Sequence, residues 1–207
     1  HKFGKHVAAH CASSEAMKRV LNAGIDTIIH GVFKEVDGTN KYREDVAELI
    51  AEKGAYVNPT IGSSSLRIKT MESKKENGTF SEQDQEELDS IKREQEHRLE
   101  CFNKLINLGV PMSAGSDSAW GKYKMGNYFE EIEAHVKGGQ SPVEAIMSAT
   151  DIAAQSCWID DNLGSIETGK LADILIVSED PTKQIENLRT VVDVIKDGQL
   201  IDRQSQL

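Results

Sequence analysis

The sequence predicts an α/β fold built on a parallel sheet. Within residues 1–155, four short apolar segments are each followed by a helical pattern. Strands that alternate with helices in this way are joined by crossovers and lie parallel in one sheet. Residues 156–207 differ, because "LADILIV" and "TVVDVIKDGQLI" predict strands that no helix separates. We therefore expect a second, all-β unit after residue 155.

The elements are justified by their caps and turns. Ser13 starts the first helix, and the pairs Ser81 with Asp84 and Ser141 with Glu144 form capping boxes. Between these helices, residues 66–80 are strongly charged and are interpreted as a loop that shapes specificity. The predicted strands cover residues 7–10, 25–29, 55–57 and 110–114, and the helices cover 13–22, 42–53, 81–108, 128–137 and 141–155. The dipeptide at 197–198, Asp-Gly, predicts a hairpin turn.

Composition excludes several classes of function. The chain has 207 residues, 38% of them apolar, and a formal net charge of −10, which disfavours nucleic acids and anionic membranes as partners. No apolar stretch is long enough to cross a bilayer. The three cysteines are scattered and odd in number, so they indicate neither a disulfide framework nor a zinc ribbon. We expect a cytoplasmic protein.

Polar side chains stand at the ends of all four predicted parallel strands. "HVAAHC" ends its strand at His10, "DTIIHG" at His30, and the third and fourth strands lead to Asn58 and Asp117. Because the carboxyl ends of parallel strands lie at one edge of a sheet, we expect these groups around one mouth, where α/β enzymes place their sites.

Two imidazoles and a carboxylate suit a divalent metal, most simply zinc. We therefore predict His10, His30 and Asp117 as metal ligands, with Asp117 also moving the proton of the attacking water. Other interpretations remain open for each residue taken alone. A strand-end histidine is often a hydrogen-bonded structural residue, and Asp117 equally fits a loop start or a helix cap.

Further candidates lie near these strand ends. Asn58 and Thr60 either bind substrate or shape the turn around Pro59, and Trp120 and Tyr123 either line a pocket or pack. The other histidines are interpreted as structural or surface groups, with His97 and His135 expected at the surfaces of helices. A nucleotide-binding fold is disfavoured, because "HCASSEA" after the first strand lacks glycine.

The motifs "VAAH", "IIHG", "VNPTIG", "GVPMSAGSD" and "SPVEAIMSAT", in this order, resemble the amidohydrolase superfamily. "LGSIETGKLADILIVSEDP" and "VVDVIKDGQLI" extend the resemblance over nearly the whole chain. It is closest to the imidazolonepropionase-like and Xaa-Pro dipeptidase-like branch. The resemblance implies that residues 1–155 form strands five to eight of a TIM-like (β/α)8 barrel, and that residues 156–207 form part of a small β-sandwich.

The resemblance also implies roles at matching positions. His10 corresponds to the strand-five metal ligand, His30 to the strand-six ligand and Asp117 to the strand-eight aspartate, with one or two metal ions in a complete enzyme. The first His-x-His motif of the family and its strand-four bridging ligand are missing from this chain, Ala12 replaces a second histidine, and "MGN" at 125–127 replaces His-Gly. We therefore expect a portion of a longer enzyme, which pairs with its missing half or with a second copy.

Two functions follow as hypotheses. The first is a metal-dependent hydrolase that cleaves a C–N bond in a short peptide or a cyclic amide with metal-activated water. The alternative is a catalytically incompetent portion of such an enzyme, which acts only as a folded or assembly unit.

Overall fold

The computed structural model describes residues 1–118 and 125–202 and shows a mixed α/β fold with two separate sheets. The first sheet contains β1 (Ala8–His10), β2 (Thr27–Ile29) and β3 (Tyr56–Asn58), in that order and all parallel. The prediction of a parallel sheet is confirmed for these three strands. Each strand is only three residues long, so its carboxyl end lies close to the predicted polar residue.

The fourth predicted strand, residues 110–114, forms a single bridge rather than a strand. Met112 pairs with Val57 in parallel, and Ser113 donates its backbone N–H to the Val57 carbonyl oxygen at 2.9 Å. Val57 in turn donates to the Pro111 carbonyl oxygen at 3.0 Å. The segment therefore continues the sheet beside β3 over one short stretch.

Helices cover one face of this sheet. Buried residues of that face, such as Ile28 and Val57, pack with apolar side chains of the first, second and fourth helices in the main core. The helices are α1 (Ser14–Asn22), α2 (Glu44–Lys53), α3 (Gly62–Glu76), α4 (Glu82–Asn107), α5 (Phe129–Lys137), α6 (Pro142–Ala149) and α7 (Asp151–Ser156). Ser13 caps α1 by accepting the Ala16 N–H, as predicted.

Two predictions about helices are wrong. Residues 66–80, predicted as a loop, lie mostly within α3, whose charged surface packs along α4 and α5. The single helix predicted over residues 141–155 is broken at Thr150, whose φ of −125° and ψ of −88° separate α6 from α7. The capping boxes at Ser81 and Ser141 are confirmed.

The short α7 lies against the sheet face opposite the main core. Tyr56 donates its hydroxyl to Gln155 Oε1 at 3.3 Å, and Thr27 donates to the Ser156 carbonyl oxygen at 3.4 Å. Tyr56 and Thr27 are in register on neighbouring strands. This face is therefore partly covered within the chain itself.

The second sheet is antiparallel and consists of β4 (Ile174–Val177), β5 (Val191–Lys196) and β6 (Gln199–Leu200). Asp197 and Gly198 form the tight turn between β5 and β6, so the predicted hairpin is confirmed. A 3-10 helix, Ile185–Arg189, packs Ile185 and Leu188 against α5 and α6. No helix in the described part of the chain is long and apolar enough to cross a membrane.

Candidate metal centre at the strand ends

The ends of the parallel strands form a rim of polar side chains. His10, Ile29 and Asn58 are in register across β1, β2 and β3, so their side chains lie on the same face of the sheet. This is the face opposite Ile28 and Val57, which point into the main core. His10 is exposed at this rim.

The two imidazoles predicted as ligands meet. The ring centroids of His10 and His30 are 4.5 Å apart, with the ring planes at 75°. Strict strand alternation would place His30, which follows Ile29, on the opposite face from His10. The backbone of His30 is instead left-handed, with φ of 70°, and this departure from the strand conformation brings its ring to His10.

Thr60 holds the ring of His30. His30 Nδ1 and Thr60 Oγ1 are 2.7 Å apart, which is a short hydrogen bond. Thr60 is only 4% exposed and has a positive φ of 50°, a conformation that a β-branched residue rarely adopts. The sequence predicted Thr60 as a substrate-binding residue, whereas the structure places its hydroxyl on a candidate metal ligand.

The loop that carries Thr60 is held from two helices. Arg98 of α4 donates from Nη2 to the Pro59 carbonyl oxygen, and the same nitrogen lies 3.5 Å from Thr60 Oγ1. Glu131 of α5 accepts the backbone N–H groups of Ile61 at 3.1 Å and Gly62 at 2.5 Å. We call residues 59–62 the β3 loop.

Behind the β3 loop, Glu131 is buried and Arg98 is partly buried. Glu131 has no exposed surface, and burial lowers the pKa of Arg98, while the nearby Glu131 carboxylate acts in the opposite direction. His135 Nε2 lies 3.4 Å from Glu131 Oε1, and His135 Nδ1 lies 3.0 Å from Gln140 Oε1. Buried charges are stable only where such partners compensate their desolvation.

Left-handed backbone is concentrated at the rim. Of the five described non-glycine residues with positive φ, three are His30, Thr60 and Asp117, and the others are Trp158 and Asp197. Unfavourable backbone conformations persist only where surrounding contacts enforce them, and they cluster at functional sites. This clustering supports the rim as the candidate site independently of residue chemistry.

The electrostatics of the rim favour neutral imidazole. Burial lowers the pKa of His30 below its ordinary value of 6.5, the charge of His10 lowers it further, and Asp117 raises it in part. His30 is therefore neutral at pH 7, the form in which histidine binds a metal ion.

The charge of Asp117, the predicted third ligand, acts on His30, but Asp117 does not complete a metal-binding group in the described part of the chain. Asp117 is exposed, and its charge acts on His30, but no group of three or more His, Cys, Asp or Glu side chains within residues 1–118 and 125–202 is arranged to hold a metal ion. Two converging imidazoles at an open rim nevertheless fit a divalent transition metal as a partial ligand set. The three-ligand site stays a prediction.

Asn58 carries a buried acceptor without a partner. Its Oδ1 has no hydrogen-bond partner in the described part of the chain, and neither has the buried hydroxyl of Ser113 on the neighbouring segment. A Cβ on Gly115 would overlap the Asn58 amide, so this close approach requires glycine. An unpaired acceptor beside the rim is consistent with the predicted contact between Asn58 and a substrate donor.

The described part of the chain includes neither of the two aromatic residues predicted for the site. Trp120 and Tyr123 lie outside the described residues. Tyr128 donates its hydroxyl to the Ala114 carbonyl oxygen at 3.0 Å, which ties the start of α5 to the fourth sheet segment.

The prediction that His97 and His135 are surface residues is wrong. His135 has no exposed surface and packs edge-on against Phe102, with ring centroids 4.8 Å apart. His97 is partly buried, and its Nε2 lies 3.0 Å from the Phe33 carbonyl oxygen. Both histidines therefore take part in the packing of α4 and α5 against neighbouring segments.

A cavity of about 310 Å³, including its open mouth, lies between the rim and α4 and is lined in part by His30, Arg98 and Cys101. Burial raises the pKa of Cys101 to about 12, so its thiol is protonated at neutral pH. A protonated thiol is neither a nucleophile nor a metal ligand. We therefore interpret Cys101 as part of the cavity wall.

The sequence analysis missed Arg98 and Glu131. Arg98 lies in a helix rich in charged residues, and no local signal separates it from its exposed neighbours. Glu131 offered a signal, because it stands four residues before His135 and thus on the same side of the helix. A carboxylate and an imidazole at this spacing indicate a possible buried pair.

Known proteins resemble this chain, over about half of its length for one relative and over nearly all of it for solved structures. An imidazolonepropionase from Symbiobacterium thermophilum is 34% identical over 104 residues, which cover 47% of this chain and 24% of that protein. The crystal structure of an Xaa-Pro dipeptidase with methionine bound in its active site is 33% identical, with a TM-score of 0.76, and the match covers 97% of this chain and 46% of that one. The structure of ochratoxinase from A. niger, 23% identical with a TM-score of 0.73, matches over 96% of this chain and 42% of its own and supports the fold alone.

The chain spans less than half the length of these three relatives. The sequence model of the amidohydrolase family matches residues 1–201, which include both sheets and the residues of the rim. The resemblance predicted from the motifs is confirmed: this chain belongs to the amidohydrolase family.

Proposed function

We propose that this chain is the C-terminal part of a metal-dependent hydrolase that cleaves C–N bonds in short peptides or cyclic amides. The observation that carries the proposal is the meeting of His10 and His30 at the strand ends, with ring centroids 4.5 Å apart. Family membership and the resemblance to an imidazolonepropionase and an Xaa-Pro dipeptidase support the bond type.

The proposed roles follow from position and protonation. His10 and His30 would hold a divalent ion, most simply zinc, and neutral His30 offers a lone pair for it. When bound, such an ion supplies Lewis acidity, which activates water and polarises a substrate carbonyl group. The Asp117 carboxylate would accept the proton of the attacking water and deliver it to the leaving nitrogen. Asn58 would accept a hydrogen bond from the substrate.

The architecture we propose is half of a (β/α)8 barrel over residues 1–155, followed by a β-sandwich segment over residues 156–207. The parallel order β1-β2-β3 and the separate antiparallel sheet support this division. One edge of β1 has no neighbouring strand among the described residues. We propose that this edge pairs with the part of a longer protein that carries the remaining strands, or with a second copy.

Metal binding tests the proposal directly. The purified chain is incubated with zinc, freed of excess ion and measured by elemental mass spectrometry, with an expected content of about one ion per chain. His10→Ala and His30→Ala are expected to lose this ion, whereas His1→Ala, which removes an imidazole far from the rim, is the matched control. Equal zinc content in all four proteins contradicts the proposal.

A second function is favoured by the lack of a three-ligand group within residues 1–118 and 125–202. In this alternative, the chain is catalytically incompetent and serves only as a folded or assembly unit. Release of amino acids from dipeptides in the presence of zinc separates the two hypotheses. Turnover that Asp117→Asn abolishes supports the hydrolase, and a folded chain without zinc or turnover supports the assembly unit.

A further inference from the structure

We propose that Arg98 and Glu131 are positioning residues that hold the β3 loop so that Thr60 fixes the tautomer of His30, with the proton on Nδ1 and Nε2 free for a divalent cation. The inference rests on the proposed metal site but concerns residues outside the ligand set. None of the three groups was expected in this role from the sequence.

The first step concerns the hydrogen bond between His30 and Thr60. At 2.7 Å, one of Nδ1 and Oγ1 must donate to the other. The guanidinium of Arg98, which can only donate, lies 3.5 Å from the same oxygen. The positive charge of the guanidinium repels the hydroxyl proton of Thr60. The lone pairs of Thr60 Oγ1 are therefore oriented toward Arg98 and His30. Nδ1 of the imidazole therefore carries the proton, and Nε2 keeps its lone pair.

The second step concerns the backbone that presents Thr60. Its positive φ of 50° is unfavourable for a β-branched residue, so the free loop would move toward an ordinary conformation. Arg98 binds the Pro59 carbonyl oxygen on one side, and Glu131 binds the N–H groups of Ile61 and Gly62 on the other. The strained residue is thus held between two anchored neighbours.

The third step concerns the close approach of α5 to the β3 loop. A Cβ on Gly62 would lie 2.6 Å from the backbone nitrogen of Glu131, so only glycine permits α5 to approach the loop this closely. Glu131 is buried and Arg98 is partly buried, and their opposite charges compensate part of the desolvation of each group. The β3 loop and its two anchors therefore form one connected unit behind His30.

Nuclear magnetic resonance of the metal-free chain tests the tautomer. Long-range proton–nitrogen correlations of the ¹⁵N-labelled chain at pH 8 distinguish protonated from bare imidazole nitrogens, and His30→Gln assigns the His30 signals. We expect Nδ1 protonated and Nε2 bare in the wild type and in Thr60→Ser. In Thr60→Val, which keeps the β-branch but removes the hydroxyl, we expect a mixture that contains the Nε2-protonated form.

Metal affinity and ligand geometry provide a second readout. Competition with a chelator is expected to show zinc binding about 10–100-fold weaker in Thr60→Val and Arg98→Met, whereas Thr60→Ser stays within about threefold of the wild type. The visible absorption spectrum of the cobalt-substituted chain is expected to change in the two weakened variants. Circular dichroism verifies that both variants remain folded. If Arg98→Met does not fold, the result for Thr60→Val decides the test.

The outcomes separate this inference from the proposed function. An Nε2-protonated His30 in the wild type overturns the inference, and so does an unchanged tautomer with unchanged zinc affinity in Thr60→Val. A wild-type chain with Nδ1 protonated but without zinc binding overturns the proposed metal site, while the tautomer control by Thr60 stands.

Discussion

The rim of the parallel sheet and the hairpin of the antiparallel sheet both contain left-handed backbone, but different forces hold it. In the hairpin, Asp197 and Gly198 have φ values of 51° and 74°. These residue types adopt this conformation readily, and adjacent residues of this kind form a tight turn by themselves. At the rim, His30, Thr60 and Asp117 have φ values of 70°, 50° and 49°, and β-branched Thr60 lacks such a local preference.

The contacts of the two regions reflect this difference. The hairpin is supported by its own sheet, since Asp197 donates its N–H to Asp173 Oδ1 at 2.8 Å and Gly198 donates to the Ala172 carbonyl oxygen at 3.0 Å. The rim is supported by α4 and α5, through Arg98 and Glu131. Left-handed backbone enforced by distant helices indicates a constraint of function, whereas left-handed backbone at an Asp-Gly turn indicates only a change of direction.

Removal of the buried carboxylate at the rim is expected to have the largest effect on stability. Glu131→Ala removes the acceptor of the Ile61 and Gly62 N–H groups and leaves Glu94 as the negative charge that acts on Arg98. We expect the free energy of unfolding, measured by urea denaturation, to fall by about 3–5 kcal/mol.

Exposed Glu52 on α2 provides the matched control, and Glu52→Ala is expected to leave the denaturation midpoint unchanged. A loss below about 1 kcal/mol for Glu131→Ala would show that α5 does not hold the β3 loop.

A substitution in the hairpin is expected to act through the backbone alone. A Cβ at Gly198 meets no atom within 4 Å, so Gly198→Ala introduces only the penalty of a positive φ. We expect a loss of about 1–2 kcal/mol in the free energy of unfolding, with zinc binding unchanged. Asp197→Asn is the control, because asparagine tolerates the same conformation. An altered zinc affinity in Gly198→Ala would mean that the two regions are coupled.

Acid sensitivity tests the contact of α5 with α3 and with the 3-10 helix that precedes β5. Glu130 of α5 accepts hydrogen bonds from Lys69 and from Arg189 of the 3-10 helix. Burial alone raises the pKa of Glu130, but these bonds outweigh it and hold the pKa below its ordinary value of 4.5. The folded chain thus binds this proton less readily than the unfolded chain. The stabilisation is present above about pH 4.5 and is lost as the pH falls through the lowered pKa.

In this acidic range, we expect the free energy of unfolding to depend less steeply on pH in Glu130→Gln than in the wild type. The expected difference in slope is up to about 1.4 kcal/mol per pH unit. Urea denaturation at a series of pH values measures the slope, with Glu52→Gln as the control. Identical slopes in all three proteins would contradict the assignment to Glu130.

The smallest expected effect has the opposite sign. Asp117 is exposed and has a φ of 49°, so Asp117→Gly relieves backbone strain while it removes little packing. Glycine increases the entropy of the unfolded chain, which opposes this gain in stability. We expect the relief of strain to be the larger effect, with a net gain of about 0.5 kcal/mol in the free energy of unfolding. Ser116→Gly, at a position without positive φ, is the control and is expected to lose stability. A loss in Asp117→Gly would show that its conformation is not strained.

Predictions from the sequence succeeded where the signal is local. Ser13, Ser81 and Ser141 start helices because their side chains accept backbone N–H groups of the first turn. The order of strands and helices predicted the parallel sheet, and parallel strands brought His10 and His30 to one edge. The charge of residues 66–80 predicted a loop, but most of this segment is helical. A helix with little apolar surface still forms when it packs along two other helices.

The sequence by itself determined the helix starts, the hairpin turn, the parallel order of β1, β2 and β3, and the family. Each of these follows from the preferences of a few neighbouring residues or from the alternation of elements. Only the tertiary structure decided that Arg98 and Glu131 bind the β3 loop and that Thr60 contacts His30. These features depend on helices α4 and α5 packing around a loop distant in sequence, and no local preference of the chain encodes such an arrangement.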